Sequence, residues 1–196
     1  MHPEIISLCL FMFVTSCSPG PNNIVASYSG FNFGILKTIP HMCGVVFGFT
    51  TLVAIMNFGL LNIFQRYPII QETLKYTGTF FLIYLAYKIS FSKNKTESEK
   101  KNPVKFIETF FFQFINPKSV IVSVIMVSTY VDRGKDFLFY SFWVIGIAFL
   151  FAIISINFWT LIGKFLRRFA TNEKFIQRFN YIMSLLLLAC IATFYL

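Results

Sequence analysis

An all-α, polytopic membrane protein is the fold class this sequence predicts: six transmembrane helices in two inverted three-helix repeats, with the first and fourth helices broken. Three observations carry the prediction. The chain is 56% hydrophobic and 19% aromatic but only 13% charged, with 27 Phe and a mean hydropathy of +0.68. That is more apolar surface than one water-facing globule of 196 residues can hide. Its apolar residues fall in runs close to the roughly 20 residues a helix needs to cross hydrocarbon, and no segment alternates as a strand would. Finally, proline interrupts the opening run of each half of the chain at a matching depth.

Taken in order, the spans cover about residues 4–30, 39–64, 69–90, 104–131, 137–162 and 175–195. Breakers separate them: Gly30 and Gly34, then Arg66-Tyr67-Pro68, then polar runs at 92–103, 132–136 and 163–174. The first span needs one check, because Val14-Thr15-Ser16-Cys17 after an apolar stretch has the look of a lipoprotein cleavage box. The residues before it, Met1-His2-Pro3-Glu4, supply no positive n-region, so the segment is expected to stay as structure. The hydrophilic stretch 92–103 reads as a solvated linker inside a single domain, 1–196, between repeats of about 1–91 and 104–196.

The formal charge of +9 is topological information rather than a nucleic-acid footprint. Lys37, Lys88, Lys93, Lys95, Lys100, Lys101, Lys105, Lys164, Arg167, Arg168, Lys174 and Arg178 fall on the side reached at the end of the first span. Only Arg66, Lys75, Arg133 and Lys135 fall on the other. Cytoplasmic loops hold the excess of Lys and Arg, so both termini are expected outside and the long linker in the cytoplasm. Cys9, Cys17, Cys43 and Cys190 lie inside apolar runs without C-x-x-C spacing, which predicts no disulfide framework, no metal site and no cofactor.

Sliding the sequence by half its length, 98 residues, superimposes Phe13 on Phe111, Pro19 on Pro117, Gly48 on Gly146 and Ala54 on Ala152. Three spans per half is an odd number, so two similar halves must enter the membrane in opposite senses. This is the inverted-repeat plan of many secondary transporters.

The interruptions carry the chemistry. In Ser18-Pro19-Gly20-Pro21-Asn22-Asn23, two prolines flanking a glycine remove donors and cannot continue a helix. Pro21 suits the first turn of a restarted helix, with Ser18, Asn22 and Asn23 as local caps. The restarted helix then points its positive end and spare N–H groups into the protein, a site for an anion. In the second half, Asn116-Pro117-Lys118-Ser119 repeats the device and adds a charge. Lys118 lies about 20 Å along its span, beyond easy reach of either interface. The eight acids fall at span ends or in loops, so a ligand carboxylate would supply its counter-ion. The bland alternative is that Lys118 caps backbone carbonyls at the break.

Ser18-Pro19-Gly20-Pro21-Asn22-Asn23, with Gly30-Phe31-Asn32-Phe33-Gly34, Pro40-His41, Gly44-x-x-x-Gly48 and Gln113 to Lys118, resembles the LysE/RhtB family of bacterial amino-acid exporters nearly end to end. Ser128-Thr129-Tyr130 and Asn157-x-Trp159 bring the likeness nearest to its cysteine and O-acetylserine branch. The resemblance implies a bacterial inner-membrane protein that exports small neutral amino acids, of the cysteine, O-acetylserine, threonine or homoserine type, by exchange for protons. A carboxylate would meet the helix restarting at Pro21 and the ammonium of Lys118, and the substrate ammonium would meet carbonyls freed by the breaks. Lys118 would carry the proton, and two copies could pair as a homodimer. The chain lacks the deep acid in its second span that some basic-amino-acid exporters of the family carry, which argues against lysine as substrate. The alternatives are uptake rather than efflux, or a membrane thiol oxidoreductase built on a cysteine pair. A passive channel is disfavoured because no ring of like charge is evident.

Smaller expectations complete the reading. Asn57 and Asn157 could bind substrate or join helices; Gly44, Gly48 and Gly146 let helices approach closely. His41, at a span end, is expected in an interfacial hydrogen bond rather than a proton relay. Trp143, Trp159, Tyr67, Tyr84, Tyr87 and Tyr130 read as interface anchors, and the cysteines as small core hydrophobes.

Overall fold

A computed structural model describes residues 3–91, 104–131, 134–170, 172–192 and 195. The predicted linker at 92–103 lies outside the described residues. Every regular element described is helical: α1 (Pro3–Cys17), α2 (Pro21–Ile55), a π-helical turn (Met56–Leu60), α3 (Leu61–Arg66), α4 (Pro68–Ser90), α5 (Phe106–Ile115), α6 (Pro117–Tyr130), α7 (Phe137–Leu166) and α8 (Glu173–Ala192). A short 3₁₀ turn, Arg167–Phe169, extends α7.

Prolines open four of these helices, Pro3 being the first residue of α1. Pro21, Pro68 and Pro117 sit in the first turns of α2, α4 and α6, where the missing N–H would have had no partner and the ring pre-sets the helical φ. The break predicted at 30–34 resolves to one residue. Gly34 has φ 78° and ψ 174° inside α2, a conformation L side chains rarely adopt. A turn is needed there, since the apolar stretch Pro21–Phe64 runs 44 residues, about 66 Å if straight and roughly twice the apolar thickness of a bilayer. The π turn at Met56–Leu60, with Gly59 at φ 148°, bends the same stretch again; the sequence had suggested no interruption there.

Three helical stretches are long and apolar enough to cross a membrane alone: Pro21–Phe64, Phe137–Phe169 and Glu173–Ala192. The α5–α6 pair, bent by 61° at Asn116, makes a fourth if taken as one span. α1 is apolar but short, and α4, which carries Glu72, Lys75 and Lys88, is not among them.

α2 and α7 form the spine, with α5 lying along the other side of α2. One core joins Leu8 and Met12 of α1, Leu52 and Val53 of α2, Met126 of α6, and Ala148 and Ile156 of α7. A second joins Ile24 and Val25 of α2 to Leu82 and Leu85 of α4, Phe112 of α5 and Leu187 of α8. The outside is apolar too: Phe80, Phe142 and Leu138 are 71%, 72% and 74% exposed. Such a surface suits acyl chains, not water.

Small residues let the spine close. A Cβ on Gly44 or Gly48 would lie 2.7 Å from the carbonyl oxygen of Phe106 or Phe110 on α5. A Cβ on Gly163 of α7 would collide with the carbonyl of Ser27, whose hydroxyl donates to Trp159 O at 2.8 Å. Gly146 does not join this set, because nothing lies within 4 Å of the space a Cβ would fill. Gly163→Ala should therefore destabilise the protein by about 1–3 kcal/mol and lower its melting temperature in detergent, whereas Gly146→Ala should leave it unchanged. Equal melting temperatures for the two variants would contradict the packing.

Candidate functional site

The first break is a short extended passage between Cys17 and Pro21. Gly20, the residue before α2, is extended (φ −161°, ψ 172°) and no side chain caps the helix start. The three polar residues expected as caps do other work. Asn23 reaches backward, its Nδ2 donating to the carbonyl oxygens of Ser16 (2.9 Å) and Ser18 (3.1 Å) that the end of α1 leaves without helical partners. Ser155 of α7 also donates to Ser16 O, at 2.8 Å. Asn22 crosses to α5 and forms a reciprocal amide pair with Gln113, with N···O distances of 2.8 and 3.1 Å. The Ser18 hydroxyl donates to Thr15 O at 2.7 Å.

The second break is built differently. Asn116 caps α6, its Oδ1 accepting from the backbone N–H of Lys118 at 3.2 Å. Lys118 then bridges the two breaks: its Nζ donates to Ser18 O (3.0 Å) and Ser18 Oγ (2.8 Å). Gly20 makes room for it, since a Cβ there would lie 2.9 Å from Lys118 Cδ and Nζ. Ser119 donates to Gln113 Oε1 at 3.0 Å, which ties α6 to the Asn22–Gln113 pair. The capping reading of Lys118 thus holds, but both its acceptors are neutral, so capping leaves the ammonium's charge uncompensated.

Around this junction lies a partly open cavity, about 530 Å³ counted together with the open space at its mouth. Gly20, Pro21, Asn22, Asn23, Asn116, Lys118 and Ser119 line it, together with Thr15, Ser16, Gln113, Ser155 and apolar groups such as Met12 and Phe49. Among the described residues, no carboxylate lines it. Lys118 also borders a second, more apolar cavity of about 740 Å³ that includes Pro19, Ile121, Ile125 and Cys190. Of the other residues singled out from sequence, Pro117 is buried at the start of α6. Asn57 and Asn157 stay outside the polar cavity: Asn57 donates to Ser141 Oγ at 2.8 Å as a cross-helix tie. Asn157, exposed, donates to Ile153 O of its own helix.

Thr15, Ser16, Gln113 and Ser155 are polar lining residues that the sequence reading did not place in the site. Gln113 stood in the quoted motif, and Ser155 occupies the position half a chain after Asn57, but nothing local says that either turns inward. The carbonyls expected to receive a substrate ammonium are already engaged, Ser16 O by two donors and Ser18 O by two. His41, expected at an interface, is enclosed at 2% exposure, with Nδ1 2.9 Å from Thr109 Oγ1 and Nε2 3.3 Å from Asn22 O. None of the four cysteines forms a disulfide; Cys17 is exposed and the other three are half-buried, Cys9 and Cys190 packing against the two apolar cores. Among the expected anchors, Tyr67, Tyr84 and Tyr87 are exposed, whereas Trp159 Nε1 is buried without a partner.

A bundle of apolar helices, interrupted twice around a cavity lined by several polar side chains and an ammonium group, defines a membrane transporter. The profile of the LysE type translocator family matches residues 13–195. The chain belongs to that family. It is similar to the cysteine/O-acetylserine efflux protein of Escherichia coli (strain K12), 28% identical over 195 residues that cover 97% of both chains. The proteins of the same description in Salmonella choleraesuis (strain SC-B67) and Shigella sonnei (strain Ss046) are 29% and 28% identical over the same share. No solved structure matches the chain. Family membership makes the protein a translocator, not an enzyme, which sets the thiol-oxidoreductase alternative aside.

Because Asn23 alone serves both Ser16 O and Ser18 O with its amide, Asn23→Ala should cost about 1–3 kcal/mol of stability. A thermal melt of the purified protein in detergent checks this, and an unchanged melting temperature would show that the break does not depend on it.

Proposed function

We propose that this protein is a secondary transporter that exports small neutral amino acids or derivatives, of the cysteine, O-acetylserine, threonine or homoserine type, across the bacterial inner membrane in exchange for protons. One observation carries the reading: the ammonium of Lys118 and the uncapped start of α2 converge on a cavity to which, among the described residues, no carboxylate contributes. A positive helix end beside a cation calls for an anion, and a zwitterion's carboxylate fits. Ser119 and Ser155, each already donating its proton, keep hydroxyl lone pairs for the zwitterion's ammonium. Efflux of cysteine and O-acetylserine is what the names of the relatives describe, and it agrees with a site for small, uncharged side chains.

The transport cycle we propose is alternating access by two inverted triplets within the single domain 1–196. The first is α1 with the opening of α2, the rest of α2 with α3, and α4. The second is α5 with α6, α7, and α8. Order supports this: each triplet begins with a broken helix, and the closing helices α4 and α8 pack together, Ser184 donating to Ala86 O at 2.9 Å. Both termini lie outside and the linker is cytoplasmic in this scheme, on the distribution of Lys and Arg. Ser18, Pro19, Gly20, Pro21, Asn22, Asn23, Asn116, Pro117, Lys118 and Ser119 form or hold the site; Asn57 ties two helices together and Asn157 bonds only within its own helix.

The test is counterflow in proteoliposomes with labelled cysteine, O-acetylserine, threonine and homoserine, with and without an imposed pH gradient. Lys118→Met should reduce exchange of the carried substrate by about 100-fold or more, the scale of leaving one member of an enclosed charge pair alone, while the variant still inserts and folds. Wild-type exchange rates in Lys118→Met would refute the charge pairing, and no exchange of any of the four solutes by the native chain would refute the substrate class.

A further inference from the structure

Lys118 is engaged with Ser18 and with the cavity, which leaves the proton of the proposed exchange to another group. One enclosed titratable side chain has no role yet. His41 lies between the opening turn of α2 and α5, and its two ring nitrogens face unlike partners. The carbonyl oxygen of Asn22, 3.3 Å from Nε2, can only accept, so that contact requires a proton on Nε2. Thr109 Oγ1, 2.9 Å from Nδ1, can either donate or accept. It also lies 3.1 Å from Lys105 O. With a neutral ring the hydroxyl donates to Nδ1; with an imidazolium it turns to Lys105 O and accepts from Nδ1–H. Lys105 O receives the backbone N–H of Thr109 in both states, at 3.1 Å. Every N–H and ring nitrogen therefore keeps a partner whether His41 is neutral or charged, and only a hydroxyl hydrogen moves. An enclosed imidazole without a second acceptor would be costly to charge; here the second acceptor is built in.

Among the described residues both hydrogen-bond partners of the ring are neutral, and Lys37 of α2 and Lys105 beside α5 are exposed. Glu108 of α5 accepts from the backbone N–H of Lys105 at 2.9 Å, and Lys118 of α6 is bonded to Ser18. Lys164 of α7 and Glu173, Lys174 and Arg178 of α8 are exposed. The ring is nonetheless wired to the cavity. Asn22, whose carbonyl it holds, pairs through its side chain with Gln113, and Gln113 Nε2 also donates to Thr109 O at 2.9 Å. Both Asn22 and Gln113 line the cavity.

We propose that His41 is the proton-binding group of the exchange and that Asn22 and Gln113 transmit its state to the cavity. Resting on the proton-exchange reading above, this assigns the carrier. A solvent proton from outside forms the Nδ1–H bond as substrate leaves; the same bond breaks toward the cytoplasm before the next substrate binds. No other covalent bond changes.

The experiment uses the full chain in proteoliposomes with labelled O-acetylserine and cysteine, and an entrapped pH-sensitive dye. Three quantities are read: exchange at equal pH, accumulation driven by a pH gradient, and proton movement per substrate. For His41→Gln, exchange should stay within about threefold of the native rate, while driven accumulation and proton movement fall about tenfold or more, the scale of one hydrogen bond to a charged group. Thr109→Val keeps the imidazole but removes the rotor, and should shift the pH midpoint of driven transport. A native chain indifferent to the gradient sinks proton exchange itself. A native chain that responds, with His41→Gln responding equally, sinks only the assignment to His41. Loss of exchange and coupling together in His41→Gln, combined with an unshifted midpoint in Thr109→Val, marks the ring as structural and also overturns the proposal.

Discussion

Backbone polarity at the depth where helices break is the constraint on which the rest of this structure depends. A helix stopped inside an apolar environment leaves carbonyl and N–H groups with no water to turn to. Here the carbonyls of Ser16 and Ser18 are met by Asn23, Ser155 and Lys118, which come from α2, α7 and α6. On the second break, Gly78 of α4 lies against the carbonyl of Ile115. Satisfying the breaks thus fastens separate elements to one point. The cavity exists because the chain cannot pack helices straight through that point.

The two breaks are not equivalent, and the difference gives the site its polarity. Asn116 caps the start of α6, whereas α2 starts uncapped after extended Gly20. Spare N–H groups and the positive end of a helix are therefore left at the first break, while the second break delivers an ammonium beside them through Lys118. Two positive features point at one cavity, with no acid in its wall among the described residues, which is why the proposed function gives that cavity an anionic group to bind. The reciprocal Asn22–Gln113 pair stands next to this site and connects it to the His41–Thr109 contact. Substrate charge and ring protonation thereby act on one hydrogen-bonded unit.

Much of the fold was legible because its cues are local. Proline clusters at 19–21 and 117 mark breaks wherever the surrounding helix ends up, and Gly34 falls inside the interval predicted for the first reversal. The π turn at Met56–Leu60 was not legible, since no proline or polar run announces it. Gly44 and Gly48 were read correctly as close-packing positions, but Gly146, matched to Gly48 by the half-chain offset, meets no neighbour. Identity of residue type at equivalent positions does not place the same helix opposite both.

For the site, the sequence alone determined that two spans must stop at Ser18 to Pro21 and at Asn116 to Pro117, and that a lysine follows the second stop. Proline lacks an N–H and glycine lacks a Cβ in any context, so those consequences follow without knowing the neighbours. Only the tertiary structure decided where the polar side chains turn. Asn23 reaches back to α1, Asn22 pairs with a residue 91 positions away, Ser155 joins from 139 positions away, and His41 is enclosed rather than interfacial. A side-chain amide, hydroxyl or imidazole is satisfied by whichever donor or acceptor the packing of helices sets beside it, and that packing is a property of the whole chain.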